Sequence, residues 1–434
     1  MNLAEGETDP MNAQILRVHG KLEEFRRKNA ALSREHKHGF QLGPRLAEAR
    51  LLKFEADTAV RIPKAFRRFC LVAGDGGAGP AYGLLPFAKW EDDVRRSSQY
   101  YDCNYIARPC PLWPGMPECV GELDSTMSIW DQFLAGTMTI ASAGCSNLIL
   151  LIVTGKYRGR IVYVNEEVDG AAYMTADTDF LAWYERWIDT LRRGWTMNSF
   201  GYGLQGDAPA ILQVLEDEAS SDVEREEALL TIVGMPDLID GMPTQISKAL
   251  ASPVWFIRSA ALSVVEKHRV VSPGSAILTL STDRVAEVRR MAAYAIRSAK
   301  PPAWRETLVQ MLDDTVHDVM FLALCGLLDA KALTEDDLRP LIESSDAQRR
   351  SSGLFAWGKM GFDHHGETWL EARMSDSEEL VRYEFVMCAD KANWDNRQLI
   401  FRQMLGNNPS DEPFIKPRLK TSLWSSLKEM VGGH

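Results

Sequence analysis

Two hydrophobic rhythms divide the chain. In residues 140–164 the apolar positions are nearly continuous. The runs 148–154 and 160–164 are rich in β-branched and aromatic residues, and they flank the turn Gly155-Lys156-Tyr157-Arg158-Gly159. Strand-forming runs on both sides of a glycine-bounded turn predict an antiparallel hairpin. The first run has no polar alternation, so it is expected to be a central strand covered on both faces. Around this stretch the rhythm is helical. Ile15, Val18, Leu22 and Phe25 predict a short amphipathic helix inside a polar segment, expected to be a loosely held leader. Residues 42–54 predict a second helix. Pro63 followed by Ala65, Phe66, Phe69, Cys70 and Val72 predicts a third, with proline in its first turn. Phe180, Trp183, Tyr184, Trp187 and Leu191 make one apolar stripe over 179–191, expected to face a core.

The second half carries a longer period. Arg225, Arg258, Arg289, Met320, Arg350 and Arg382 align at spacings of 33, 31, 31, 30 and 32. Three residues on come Ala228, Ala261, Ala292, Ala323, Gly353 and Phe385. Six residues before the last five anchors come Ser252, Asp283, Asp314, Ser344 and Asp376, which read as helix N-caps. A fixed period of this length, with paired helices and a small residue at the close contact, predicts an α-solenoid. It resembles HEAT-like repeats. Met320 breaks the arginine column and Phe385 the small-residue column.

Residues 74–86 read GDGGAGPAYGLLP. Gly74, Gly76 and Gly79 match G-x-G-x-x-G formally, but that motif needs a preceding strand and a following helix. Here a helix precedes and Pro80 follows, so a tight loop leading into an edge strand at 82–85 is expected instead. Residues 91–127 are irregular, with Pro109, Pro111, Pro114 and Pro117. Tyr100, Tyr101, Tyr105 and Trp113 from this stretch, with Tyr82, are the candidate partner-binding residues, because aromatic side chains are enriched at interfaces.

Metal-site and catalytic signatures are missing from the sequence. Cys103, Cys110 and Cys119 lack a C-x2-C pair, and no histidine falls between Tyr82 and Gly201, so no zinc site is expected. Asp363-His364-His365-Gly366-Glu367 reads as a solvated loop, and Cys145 as a buried thiol. Neither G-x-S-x-G nor H-E-x-x-H occurs. No catalytic residue, metal or cofactor is expected.

The first half resembles the SUKH superfamily, which includes a fungal cell-wall-assembly regulator and many bacterial immunity proteins. The matching pieces are Ile62-Pro63, Phe66 and Phe69, the loop GDGGAGPAYGLLP, then Ile140-Ala141 and Gly144-Cys145. LILLIVTG at 148–155, Gly159-Arg160-Ile161-Val162-Tyr163 and FLAWYERW at 180–187 complete the set. The resemblance spans about residues 42–192. It implies an α+β domain, with helices on one face of a curved, mostly antiparallel sheet. It also implies a non-enzymatic role, in many bacterial members the neutralisation of a secreted toxin of nuclease or deaminase type. Gly76, Gly79, Gly83, Gly144 and Gly159 carry over as structural positions only.

Composition narrows the choice further. The longest wholly apolar run, VMFLALC at 319–325, is seven residues, far short of a membrane span. The acidic start MNLAEGETDP shows no export signal, and scattered cysteines then suggest reduced thiols and a cytoplasmic site. Residues 207–397 hold 32 Asp+Glu against 20 Lys+Arg, a balance of −12. Such a surface repels phosphate backbones, which counts against nucleic-acid partners and against a base-excision glycosylase on helical repeats. The expected organisation is a helical leader at 1–40, a SUKH-like domain at 41–193 and a glycine-rich linker at 194–206. A HEAT-like solenoid at 207–400 and a cap or tail at 401–434 follow. Two functions fit: an immunity protein that binds and neutralises a toxin, or a scaffold that uses the solenoid as its recognition surface.

Overall fold

The structure, a computed structural model, describes residues 9–35, 38–100, 105–114, 134–144, 146–165, 172–196, 200–270, 274–363 and 366–419. The chain divides into two compact units, Met1–Gln245 and Ile246–His434. It is an α+β domain followed by an α-solenoid of HEAT-like helical hairpins.

The first unit is built on a four-stranded antiparallel sheet in the order β1 (Thr137–Gly144), β2 (Asn147–Ile152), β3 (Ile161–Asn165) and β4 (Ala172–Met174). The β2–β3 hairpin has the register Leu150↔Val162. β2 is covered on both faces, as its unbroken apolar run requires. Ile149 and Leu151 join Ile140 and Ile161 in the main core, with Phe66, Phe69, Phe180 and Tyr184 from the helices Lys64–Val72 and Phe180–Arg192. On the other face Leu150, Ile152, Val162 and Met174 pack with Cys110 and Leu112.

Two expectations are corrected here. The N-terminal helix Pro10–Lys28 is docked rather than loose. Asp9 caps it, and Ile15, Val18, Leu22 and Phe25 enter the main core. Its polar side grips the helix Phe180–Arg192. Arg17 forks onto Glu185 at 2.7 and 2.8 Å, and Lys21 bridges Glu185 and Asp189 at 2.9 and 2.7 Å. The 82–85 segment makes isolated bridges instead of a strand. Leu84 pairs with Gly77 and with Ala141 of β1, and the Leu85 N–H donates to the Ile140 carbonyl at 2.7 Å. Backbone bends at Ala81 (φ +54°) and Gly83 (φ +91°) keep it from extending. A side chain at Gly83 would also meet the Gly77 carbonyl oxygen at 2.2 Å. Gly76, Gly144 and Gly159 share positive φ, whereas Gly79 is confined by Leu84.

A polar node closes the C-terminal end of this unit. Arg186 is buried and forks onto Asp177 at 2.9 and 2.7 Å. It donates to the Phe200 carbonyl at 2.7 Å and lies 4.1 Å over the Phe200 ring. Gln205 donates to Asp177, and the Tyr173 hydroxyl to Glu227 on the helix Asp222–Val233. Phe200 and Gly201 are buried within the glycine-rich stretch 194–206.

The second unit repeats one arrangement. Its long second helices are Trp255–His268, Ala286–Ala299, His317–Asp329, Ala347–Met360 and Glu379–Lys391. The anchor arginines do more than mark the period. Arg258 forks onto Asp283 (2.8 and 3.0 Å), Arg289 onto Asp314 (2.6 and 2.9 Å), Arg350 onto Asp376 (2.9 and 2.7 Å) and Arg382 onto Asp411 (2.8 and 2.9 Å). These four rungs tie hairpins to their successors at all but one of the junctions between these helices, that of His317–Asp329 with Ala347–Met360.

The N-cap expectation for the column before the anchors is therefore corrected. The caps are Val254, Val285, Val316, Asp346 and Glu378, each two residues further on. The aspartates instead accept the preceding unit's arginine and the amide two residues ahead, as Asp283 does from Val285 at 2.8 Å. The small-residue column packs as expected: a Cβ on Gly353 would sit 2.7 Å from Ile342 Cγ1. Phe385 is fully buried as well and meets Trp394 edge-on at 5.6 Å.

Candidate functional site

Of the aromatic residues singled out in the sequence, Tyr82 and Trp113 are exposed and Tyr105 is buried. Tyr82 is 59% exposed, and its ring rests on the backbone of Gly144, where a Cβ would meet its hydroxyl at 2.7 Å. Trp113 is 41% exposed. Tyr105 is corrected: it is only 7% exposed and belongs to the main core, in the 3-10 turn Tyr105–Ala107. Tyr101 and the side chain of Tyr100 lie outside the described residues, as do Cys103, Cys119, Cys145, His364 and His365.

A polar cavity of about 210 Å³ opens on the first unit. Gln14, Glu185, Arg186, Asp189, Arg193 and Gln205 line it. Its charged groups are already engaged. Glu185 is held down to about 2 by the Arg17 hydrogen bond, helped by Lys21 and Gln14 against the opposing effect of burial. Arg186 is locked on Asp177. A carboxylate so low in pKa stays ionised near neutrality and is a poor general base. Beside the polar node, burial raises Glu227 and raises Tyr173 strongly, which favours the protonated phenol donating to Glu227.

Among the described residues burial also acts on the thiols, against the reactive thiolate. Burial pushes Cys110 up to about 11 and raises Cys70, Cys388 and Cys325. Among the described residues no group of three His, Cys, Asp or Glu side chains is placed to hold a metal ion. No helix among them is long and apolar enough to cross a membrane.

The second unit presents an ordered surface that sequence reading missed. Take the residues one and five after each anchor, which share a helix face. They are Ser259 and Ser263, Arg290 and Tyr294, Phe321 and Cys325, Ser351 and Phe355, and Tyr383 and Met387. Four successive units thus place an aromatic ring on this face, and Tyr294, Phe321, Phe355 and Tyr383 are all half-buried. Phe321 and Phe355 touch across units, with ring centroids 6.1 Å apart. His317 stacks on Phe321 at 5.8 Å, Lys359 sits 5.4 Å from the Phe355 ring centroid, and Tyr383 meets Phe414 edge-on. The signal was present in the sequence as a column offset from the arginines. Only the folded stack, through contacts such as Phe321 on Phe355, shows that this column stays on one side.

No family model matches the chain, and no curated protein matches it. Among solved structures it is similar to a designed armadillo repeat protein in complex with the peptide (KR)4. That likeness has 14% identity and a TM-score of 0.33, over 43% of this chain and 100% of that one. It is also similar to the Escherichia coli protein YibA, with 15% identity and a TM-score of 0.39, over 56% of this chain and 87% of that one.

Proposed function

We propose that this protein is a non-enzymatic, protein-binding scaffold whose recognition surface is the aromatic column of the second unit. The observation that carries the reading is that column: Tyr294, Phe321, Phe355 and Tyr383 held half-buried on successive helices, with Arg–Asp rungs joining the helix of Tyr294 to that of Phe321 and the helix of Phe355 to that of Tyr383. Rigid aromatic residues on fixed elements lose little entropy on binding and dominate interface energetics. The −12 charge balance of residues 207–397 favours a protein partner with a basic rim over nucleic acid.

A second reading keeps the first unit as the binding module. Its SUKH-like order of elements, with Tyr82 and Trp113 exposed, suits an immunity protein that caps a toxin. One experiment separates the two. A photo-crosslinking amino acid is placed at Phe355 or at Tyr82 in the full chain, expressed in the native host. The scaffold reading expects a discrete crosslinked protein from position 355 and none from position 82. Crosslinking to a nuclease or deaminase from position 82 alone would replace it with toxin capture.

A further inference from the structure

The four rungs share one wiring. Each arginine's Nη1 donates to backbone carbonyls of its own turn: Ser252 and Pro253 for Arg258, Asp283 for Arg289, Ser344 and Ser345 for Arg350, Asp376 and Ser377 for Arg382. Its Nε and Nη2 reach the aspartate of the following turn. One rung is missing at both ends. Met320 stands where the arginine belongs, and Ser344 where the carboxylate belongs. Met320 is fully buried and has no proton to donate.

A different arginine fills the gap. The position before each anchor is Ile257, Val288, Val319 and Val381 in the other units, and all four are buried. In the unit after the missing rung it is Arg349. This side chain reaches backward, sending Nη1 to the Asp314 carbonyl at 2.9 Å and Nη2 to the Leu312 carbonyl at 2.6 Å. It holds no carboxylate closely, since Asp313 lies at 3.5 Å and is largely exposed. Arg349 keeps 22% of its own side-chain exposure.

We infer that the helices His317–Asp329 and Ala347–Met360 meet at a latched hinge, held closed by Arg349 and able to open where the solenoid lacks its rung. A forked arginine–carboxylate pair is stronger and more directional than hydrogen bonds to neutral carbonyls, and water can compete for a partly exposed guanidinium. In a stack of repeats each unit touches only its neighbours, so the weakest junction sets where the array opens. Opening here would part Phe321 from Phe355, in the middle of the aromatic column.

Hydrogen–deuterium exchange on the full chain tests this without any partner. Arg349→Gln should speed exchange by about tenfold in 317–329 and 347–360, while 286–299 and 379–391 stay unchanged. Installing the rung with Met320→Arg and Ser344→Asp should slow exchange there below the wild-type rate and make Arg349→Gln silent. Uniform or absent change in Arg349→Gln overturns the hinge, as does an undiminished effect of Arg349→Gln in the repaired background. Should the repaired variant lose its circular dichroism, the reverse construction decides. Arg289→Met with Asp314→Ser erases a rung that no backward-reaching arginine can replace. It should loosen 286–299 and 317–329 more than Arg349→Gln loosens its own junction. An equal or smaller effect counts against the proposal.

Discussion

The two units are held together by different physics. The first packs apolar layers on both faces of its sheet, and in the larger layer Phe66, Phe69, Phe180 and Tyr184 interlock at centroid distances of 4.7 to 5.6 Å. The second is a stack of helical hairpins. It repeats a local contact between neighbouring hairpins and pins four of these junctions with an Arg–Asp ion pair, leaving the one at Met320 and Ser344 without. A single core makes every element depend on every other. A repeated contact lets each junction be tuned alone, as the replacement at Met320, Ser344 and Arg349 illustrates. Breaking a buried ion pair strands a charge, so formed rungs resist opening. Their service here is register, which keeps the aromatic column aligned.

Substitutions should sharpen this contrast. Phe180→Ala in the first core should be the most damaging, costing about 3–5 kcal/mol and lowering the first unit's transition as a whole in chemical denaturation. Asp376→Ala strands Arg350 and Arg373, which donate to it at 2.9 Å each. It should cost roughly 3 kcal/mol, with faster hydrogen exchange confined to the two helices flanking the lost rung. Gly358→Ala pushes a Cβ to 2.8 Å from Cys388 Cα on the next helix and should cost about 1–3 kcal/mol. Breaking the exposed pair Arg339–Glu343 should change stability by less than about 0.5 kcal/mol.

Acid should weaken the rungs of the second unit. Burial alone would raise Asp283, Asp314 and Asp376, but hydrogen bonds from Arg258, Arg289 and Arg350 and from backbone amides outweigh it and leave all three lowered. A lowered folded pKa contributes stability that is present above the unfolded value, about 3.9, and is lost as pH falls through the folded value. Unfolding midpoints of the second unit should therefore hold steady from pH 7 to about 4.5 and fall below about 4. A midpoint that fell steadily from pH 7 would mean that the rungs are not the titrating groups.

Much of the architecture was legible in residue order. The hairpin of β2 and β3 followed from two β-branched runs about a glycine-bounded turn, and the repeat from its arginine column. What escaped was pairing at a distance. Ile15, Val18, Leu22 and Phe25 announced a helix with one apolar face, but nothing local to them named Glu185 as the carboxylate that docks it. Asp283 and Asp314 looked like caps because their spacing to the next helix suited that role. Their constant 25-residue distance from Arg258 and Arg289 was the clue to the rungs. Tyr105 read as surface because the prolines around it hide any periodicity, yet it is core. The aromatic column needed both the period and the face, and only the fold supplies the second.

The most direct measurement is the affinity of the crosslinked partner for two variants of the full chain. One carries Tyr294→Ala, Phe355→Ala and Tyr383→Ala on the solenoid; the other carries Tyr82→Ala and Trp113→Ala on the first unit. We expect the solenoid variant to bind at least about a hundredfold more weakly, since aromatic anchors are typically worth 2 kcal/mol or more each, and the other to bind like wild type. A full loss of binding in the Tyr82 and Trp113 variant, with the solenoid variant unimpaired, would contradict the scaffold reading and put recognition on the first unit.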